Sequence, residues 1–312
     1  MTKSERKPRK GLKMKTKKTL WCYAILSTQL IGLLVFTLYP MIWAASKSFY
    51  YYSGAASQTR FTGLHNYVTL LKDSNYWESW KMTLIFAIGK LPIELPLAMI
   101  LAILLTRGLK GSGFFRSLYY LPCVISSAVV GLAFTCMFDY FGFFNGVMTK
   151  LGLMKIPVEW FSSQKNALIV ILVGAVWNTF GTNVLYFMSA LANVPKELYE
   201  SAKLDGANSW VQFWHISVPL MGPVLQTILL LAINGTLHTQ DYILAITNGA
   251  PYGSTHTVMS YLAYKFLPGF SGEANVTINI GYGCAANIIT SIIMVFVALG
   301  YTKISKKLRD VY

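Results

Sequence analysis

Several ionisable, amide and hydroxyl side chains recur at helical spacing inside stretches that are otherwise apolar, and they carry the chemistry open to this chain. Lys90 and Glu94 stand four residues apart in one apolar run, bracketed by Pro92 and Pro96. Charge in mid-membrane is costly and by default marks a functional position. The i,i+4 spacing also suits an intrahelical pair that neutralises itself, helped by helix breaks at the two prolines. That reading is preferred, with Glu94 as a cavity-lining partner for a substrate as the alternative. In a later run Asn234, His238 and Asp241 fall at 0, +4 and +7, one stripe of a helix, with Thr236, Thr239 and Gln240 beside them. Asn178, Thr179, Thr182 and Asn183 form a similar group in an earlier run. A polar stripe in a membrane helix faces protein or water, where amides and hydroxyls can bind a polar ligand. Trp177, Phe180, Tyr186 and Tyr242 could add ring faces, although aromatic residues in such chains more often serve as interfacial anchors or packing.

Other chemistries find no support. Cys22, Cys123, Cys136 and Cys284 lie in apolar runs without metal-ligand spacing and read as small buried hydrophobes. No loop gathers a His/Cys metal cluster or a nucleophile with its base, so an enzyme active site is not expected. The chain has no Gly-x-x-x-x-Gly-Lys-Ser/Thr phosphate loop, so it is not expected to bind ATP in that manner.

One polar island, roughly residues 193–217, separates two long apolar runs. Asn193 can cap a helix, Pro195 suits a first turn, and Glu197 and Glu200 suit an N-terminal half. A short helix over 196–204 follows, stopped at Asp205-Gly206 because glycine readily takes the left-handed conformation. Asn208 or Ser209 can cap a second segment running to Ile216, and Pro219 marks the entry to the next apolar run. Ser201 and Ala202 give the first helix a low-profile face. A DNA-reading helix-turn-helix is excluded, since both ends are tied to membrane spans.

The elements that hold these groups follow from composition. Of 312 residues, 54% are hydrophobic and 12% charged, with mean hydropathy +0.47, well outside the range of ordinary soluble domains. Six apolar runs, at residues 19–45, 80–106, 118–138, 167–191, 218–246 and 282–301, are long enough for ~30 Å of hydrocarbon at ~1.5 Å per residue. The expected fold is an all-α polytopic membrane protein of six transmembrane helices. A basic tail, residues 1–18, is expected to be unstructured, and a second basic tail covers 303–312. The net charge of +15 does not imply nucleic acid, because nine of the 27 basic residues fall in the first eighteen positions and four in the last ten. With six spans the tails and the 107–116 loop share one side, holding sixteen basic residues against seven opposite. The positive-inside rule then puts both termini and the island in the cytoplasm of a plasma or inner membrane. Without an internal repeat there is no sequence support for an inverted-repeat carrier. An ion-coupled carrier or channel relaying protons through His238, Asp241, Lys90 and Glu94 stays as the rival, but it needs no polar island.

The island resembles the EAA loop of binding-protein-dependent ABC importer permease subunits. Its sugar-permease form, Pro-x-Glu-Leu-x-Glu-Ala-Ala-x-x-Asp-Gly-Ala…Phe-x-x-Ile-x-Leu-Pro, is matched by Pro195, Glu197, Leu198, Glu200, Ala202, Asp205, Gly206, Ala207, Phe213, Ile216 and Pro219. Ser201 replaces an Ala and Val218 a Leu. Phe61-Thr-Gly-Leu-His-Asn-Tyr67 is similar to the family's first external loop, and Thr247-Asn-Gly-Ala-Pro251 resembles its Thr-x-Gly-Gly-Pro segment. The resemblance implies a type I importer fold and a coupling helix held in a cleft of a cytoplasmic ATPase dimer. ATP and Mg would be used by that ATPase and by no site on this chain. Glu200 would contact the ATPase and Gly206 would permit the docking turn. A second, related permease chain and an extracytoplasmic sugar-binding protein are the further implied partners. The substrate implied is a sugar, an oligosaccharide by preference, with glycerol phosphate within the broader family. Glu94, the Asn178–Asn183 group and the Asn234–Asp241 stripe are the candidate path.

Overall fold

In a computed structural model the chain is described over residues 10–54, 56–106, 112–266 and 279–309. Arg107, Lys110 and the tail up to residue 9 lie outside the described residues. The chain divides into two compact units, Met1–Val68 with Asn279–Ala285, and Thr69–Ile278 with Ala286–Tyr312.

In the first unit, α1 (Lys10–Leu33) and α2 (Tyr39–Lys47) are joined by a π-helical turn at Leu34–Leu38. The first span is therefore continuous through Pro40, and α1 begins inside the stretch expected to be unstructured. Strands β1 (Tyr50–Tyr51) and β2 (Arg60–Phe61) pair antiparallel, Tyr50 opposite Phe61. The Phe61–Tyr67 motif holds this corner. Asn66, buried, donates to the carbonyls of Ser48 and Tyr50 at 2.8 and 3.0 Å, and Tyr67 shares a 2.7 Å hydrogen bond with Ser48.

The second unit contains α3 (His65–Lys72, entering from the first), α4 (Ser74–Thr106), α5 (Ser112–Val124), α6 (Ser127–Met137) and α7 (Phe143–Lys150). Then come α8 (Gln164–Ala192), α9 (Lys196–Leu204), α10 (Ser209–Gln212), α11 (Val218–Leu237), α12 (Asp241–Ile246), α13 (Val258–Phe266) and α14 (Ile280–Arg309, whose residues up to Ala285 belong to the first unit). Among the described residues five helices are long and apolar enough to cross a membrane, and the bent pair α5–α6, counted as one span, brings the number to six.

Four expectations are corrected. The third span is not straight: α5 and α6 meet at 94°. Pro122 lacks an N–H, Ile125 N–H turns back to the Pro122 carbonyl, and the Ser126 hydroxyl caps α6 by accepting from Ala128 N–H. The prolines of α4 do not break it, since the helix runs unbroken through Pro92 and Pro96. Helix α14 continues past the expected end at 301 to Arg309. Cys22 and Cys136 are exposed rather than buried, left uncovered by the rest of the chain.

Two apolar clusters hold the second unit together. One gathers Phe86, Val130, Phe134, Ile171, Ala175 and Ile243 from α4, α6, α8 and α12. The other gathers Ala98, Ala102, Tyr119, Val184, Phe187 and Met221 from α4, α5, α8 and α11. Between Phe86 and Ala98 on α4, and between Ala175 and Val184 on α8, the buried side chains turn polar.

Candidate functional site

The island folds as a surface helix and a turn between two spans. Asn193 ends α8 as its C-cap rather than opening α9, and Pro195 takes the N-cap position rather than the first turn. Helix α9 occupies the expected residues and buries none of its side chains. Its end is a Schellman turn: Ala207 N–H donates to the Ala202 carbonyl at 2.8 Å and Gly206 N–H to the Lys203 carbonyl at 3.1 Å. Gly206 sits at φ +80, and a Cβ there would meet no atom within 4 Å, so conformation and not space requires glycine. Asn208 then caps α10 by accepting from Val211 N–H at 2.9 Å.

The second segment is not a separate helix stopping at Ile216. Helix α10 passes through a π-helical turn at Phe213–Ser217 directly into α11, with Pro219 in its first turn. The wide turn accommodates a proline that cannot donate. Two contacts fix the surface helix to this leg. Tyr199 Oη and Ser217 Oγ lie 2.8 Å apart, and Gln212 Nε2 donates to the Ala207 carbonyl at 2.8 Å. The sequence reading missed the Tyr199–Ser217 link, because nothing local connects those positions. Glu200, Ser201, Asp205 and Pro219 are exposed, Ala202, Ala207 and Ile216 half-buried. Leu204 is 91% and Trp210 70% exposed, leaving apolar surface around the turn.

In mid-membrane the candidate path residues separate into two groups. The first is spent on contacts within the chain. Lys90 Nζ and Glu94 Oε2 lie 3.0 Å apart, so the intrahelical pair forms. Glu94 Oε1 also accepts from Thr179 Oγ1 at 2.6 Å and Asn183 Nδ2 at 2.8 Å, both on α8. Lys90 Nζ reaches Thr236 Oγ1 on α11 at 3.4 Å. Asn178 braces the α5–α6 bend: its amide donates to the Pro122 and Ile125 carbonyls, and its oxygen accepts from Tyr242 Oη. Thr239 Oγ1 donates to the Gly235 carbonyl.

The second group is available. The expected 234–241 stripe is not one helix, since α11 ends at Leu237 and α12 starts at Asp241. Asn234, His238 and Asp241 are nevertheless all exposed, with Gln240 and Thr182 half-buried. The side chains of Asn234, Gln240, Asp241 and Thr182 make no hydrogen bond or ion pair among the described residues. His238 Nδ1 lies 2.8 Å from the Asn234 carbonyl. A carbonyl only accepts, so Nδ1 carries a proton, and in the neutral ring Nε2 is then the acceptor.

At the other end of α11 and α12, the Thr247–Pro251 segment forms a cross-tied turn. Thr247 Oγ1 and Thr255 Oγ1 lie 2.9 Å apart, and Thr255 Oγ1 donates to the Ala250 carbonyl at 2.9 Å. Gly249 has φ +86, and a Cβ there would fall 2.1 Å from His256 Nε2. This turn, with the first turns of α4 and α8 and with α13, borders a polar and aromatic cavity of about 580 Å³ lined by Glu78, Lys81, Gln164, Tyr252 and Tyr264 among others.

Helices long and apolar enough to cross a membrane, two of them joined through the exposed helix α9, define a multi-span membrane protein. The family model described as binding-protein-dependent transport system inner membrane component matches residues 94–310, and the chain belongs to that family. The lactose transport system permease protein LacF of Rhizobium radiobacter is 32% identical over 263 residues, covering 82% of this chain and 87% of that protein. The trehalose/maltose transport system permease protein MalF of Thermococcus litoralis is 28% identical, covering 96% of this chain and 98% of its own. The sn-glycerol-3-phosphate permease UgpA of Agrobacterium fabrum is 29% identical over 277 residues. The fold matches a chain in the crystal structure of a bacterial ABC transporter involved in alginate import, with TM-score 0.80, 21% identity, and coverage of 95% of this chain and 98% of that one. The type I importer fold expected from the sequence is thus the fold of this protein.

Proposed function

We propose that this chain is the transmembrane permease subunit of an ATP-driven importer of a sugar, an oligosaccharide by preference. The observation that carries this reading is α9: a helix with no buried residue, closed by a Schellman turn, braced to the turn that leads into α11, and ending in exposed Leu204. A helix so placed has its packing surface turned toward another protein. The partner fitting it is a cytoplasmic ATPase dimer, which would hold ATP and Mg while this chain holds neither. Glu200, Ser201, Ala202, Asp205, Gly206 and Ala207 form the docking face and turn, with Ile216 and Pro219 leading into α11.

In this reading both termini and α9 lie in the cytoplasm, and the 247–256 turn faces the opposite side, where a sugar-binding protein delivers substrate. A second, related permease subunit completes the pathway. The exposed Asn234, His238 and Asp241, with Gln240 and Thr182, supply its donors and acceptors. His238 Nε2 accepts from a sugar hydroxyl, while Asp241 and the amides bind others. The sugar reading is supported by relatives named for lactose, trehalose/maltose and arabinooligosaccharide transport, whereas UgpA is named for sn-glycerol-3-phosphate.

The test is affinity purification in mild detergent, reconstitution, and ATP hydrolysis and uptake with a panel of sugars and glycerol 3-phosphate. Co-purification of an ATPase and sugar-stimulated hydrolysis are expected. Recovery of this chain without an ATPase, or uptake driven by an ion gradient with ATP depleted, contradicts the proposal.

A further inference from the structure

The Lys90–Glu94 pair does more than neutralise itself. An i,i+4 pair needs only its own helix to tolerate the membrane. Here the carboxylate takes two further donors from α8 and the ammonium touches α11. The Thr179 hydroxyl has one proton and two acceptors in reach, Glu94 at 2.6 Å and the Ala175 carbonyl at 2.9 Å. The shorter, charge-assisted contact takes it. Lys90, Glu94, Asn183 and Thr236 are all buried, Glu94 at 1% and Thr236 at 0% exposure, so the group offers a ligand nothing in this conformation.

Position gives the group its meaning. Helix α8 runs into the coupling loop and α11 leaves it without a break, so the two legs of the loop are the two helices tied to α4 here. The apolar clusters on either side of this layer both join α4 to α8, and one of them also takes in α11, through contacts less directional than hydrogen bonds. Directional hydrogen bonds in a dry layer fix rotation and register as apolar contacts do not. At ~1.5 Å per residue, Asn183 stands about 14 Å from the end of α8, and Thr236 about 27 Å along α11 from Val218. Displacement of the loop therefore reaches the layer along two helices at once.

We propose that Lys90 and Glu94, with Thr179, Asn183 and Thr236, form a three-helix junction that makes both legs of the coupling loop move with α4 as one body. It rests on the transport reading above and deepens it: these are positioning residues that convert loop displacement into movement of the pathway, not substrate ligands.

The test uses Thr179→Val with Thr236→Val, both isosteric, and Asn183→Ala separately, each in the assembled complex. Sugar moved per ATP hydrolysed is measured in proteoliposomes, together with the half-saturating concentration of loaded binding protein. The double variant is expected to hydrolyse ATP within about twofold of wild type and half-saturate as wild type does, yet move roughly fivefold less sugar per ATP. Asn183→Ala is expected to act in the same direction. Parallel loss of hydrolysis and uptake, a raised half-saturation, or an unchanged ratio overturns the junction. Absence of stimulated hydrolysis in wild type instead removes the transport reading on which the junction rests.

Discussion

The backbone N–H of Ala207 donates to the carbonyl of Ala202 at 2.8 Å, across a Gly206 held at φ +80. That bond ends the surface helix and turns the chain toward Asn208 and the fifth span. The direction of the turn, and with it the exposure of Glu200 and Leu204, depends on one left-handed residue.

A graded series at position 206 follows. Because no neighbour crowds that site, the cost of substitution is conformational, about 1–2 kcal/mol for an ordinary L-residue and least for Asn. Uptake is expected to fall in the order Gly, Asn, Ala, Val, with membrane insertion unchanged. Equal uptake by Gly206→Asn and Gly206→Val would show that the turn does not need its left-handed residue. Glu200→Lys leaves the helix intact, since Glu200 is exposed, and is expected to lose ATPase association.

The bend of the third span depends on Asn178. Asn178→Leu removes the donor to two carbonyls and the acceptor for Tyr242. Leaving such groups unpaired costs about 1–3 kcal/mol. Thermal unfolding in detergent is expected to shift down for Asn178→Leu and less for Tyr242→Phe, which removes one contact only. A larger shift for Tyr242→Phe would place the bend's support elsewhere.

The 247–256 turn should be acid-sensitive. Burial pushes His256 down to about 4 from an ordinary 6.5. Its folded form is neutral while the unfolded segment takes up a proton below about 6.5. The ring's stabilising contribution is therefore complete above pH 6.5 and lost progressively as pH falls toward 4. Hydrogen exchange over residues 249–258, corrected for intrinsic rates, is expected to lose protection across that window. In His256→Gln the dependence should flatten; an unchanged acid response in that variant acquits the histidine.

What is legible in the sequence is local. Pro195, Glu197 and Gly206 delimit α9 by chemistry within a turn of each end, and its span, Lys196–Leu204, is as the sequence reading places it. Run length locates the spans for the same reason. What is not legible depends on distant partners. The α5–α6 bend needs Asn178, more than fifty residues away, to satisfy the freed carbonyls. The 234–241 stripe reads as one helix until the break after Leu237. Lys90 and Glu94 can be recognised as a pair, but their ties to Thr179, Asn183 and Thr236 belong to three helices packed together. Spacing along one helix says nothing of these.

Contact between α9 and an ATPase is the central claim, and Leu204 reports on it most directly, being apolar, 91% exposed and next to the turn. A photoreactive benzoylphenylalanine at position 204, illuminated in membranes with and without ATP, is expected to give an adduct with an ATPase whose yield changes with nucleotide. Illumination yielding lipid adducts alone, in either condition, would contradict the claim.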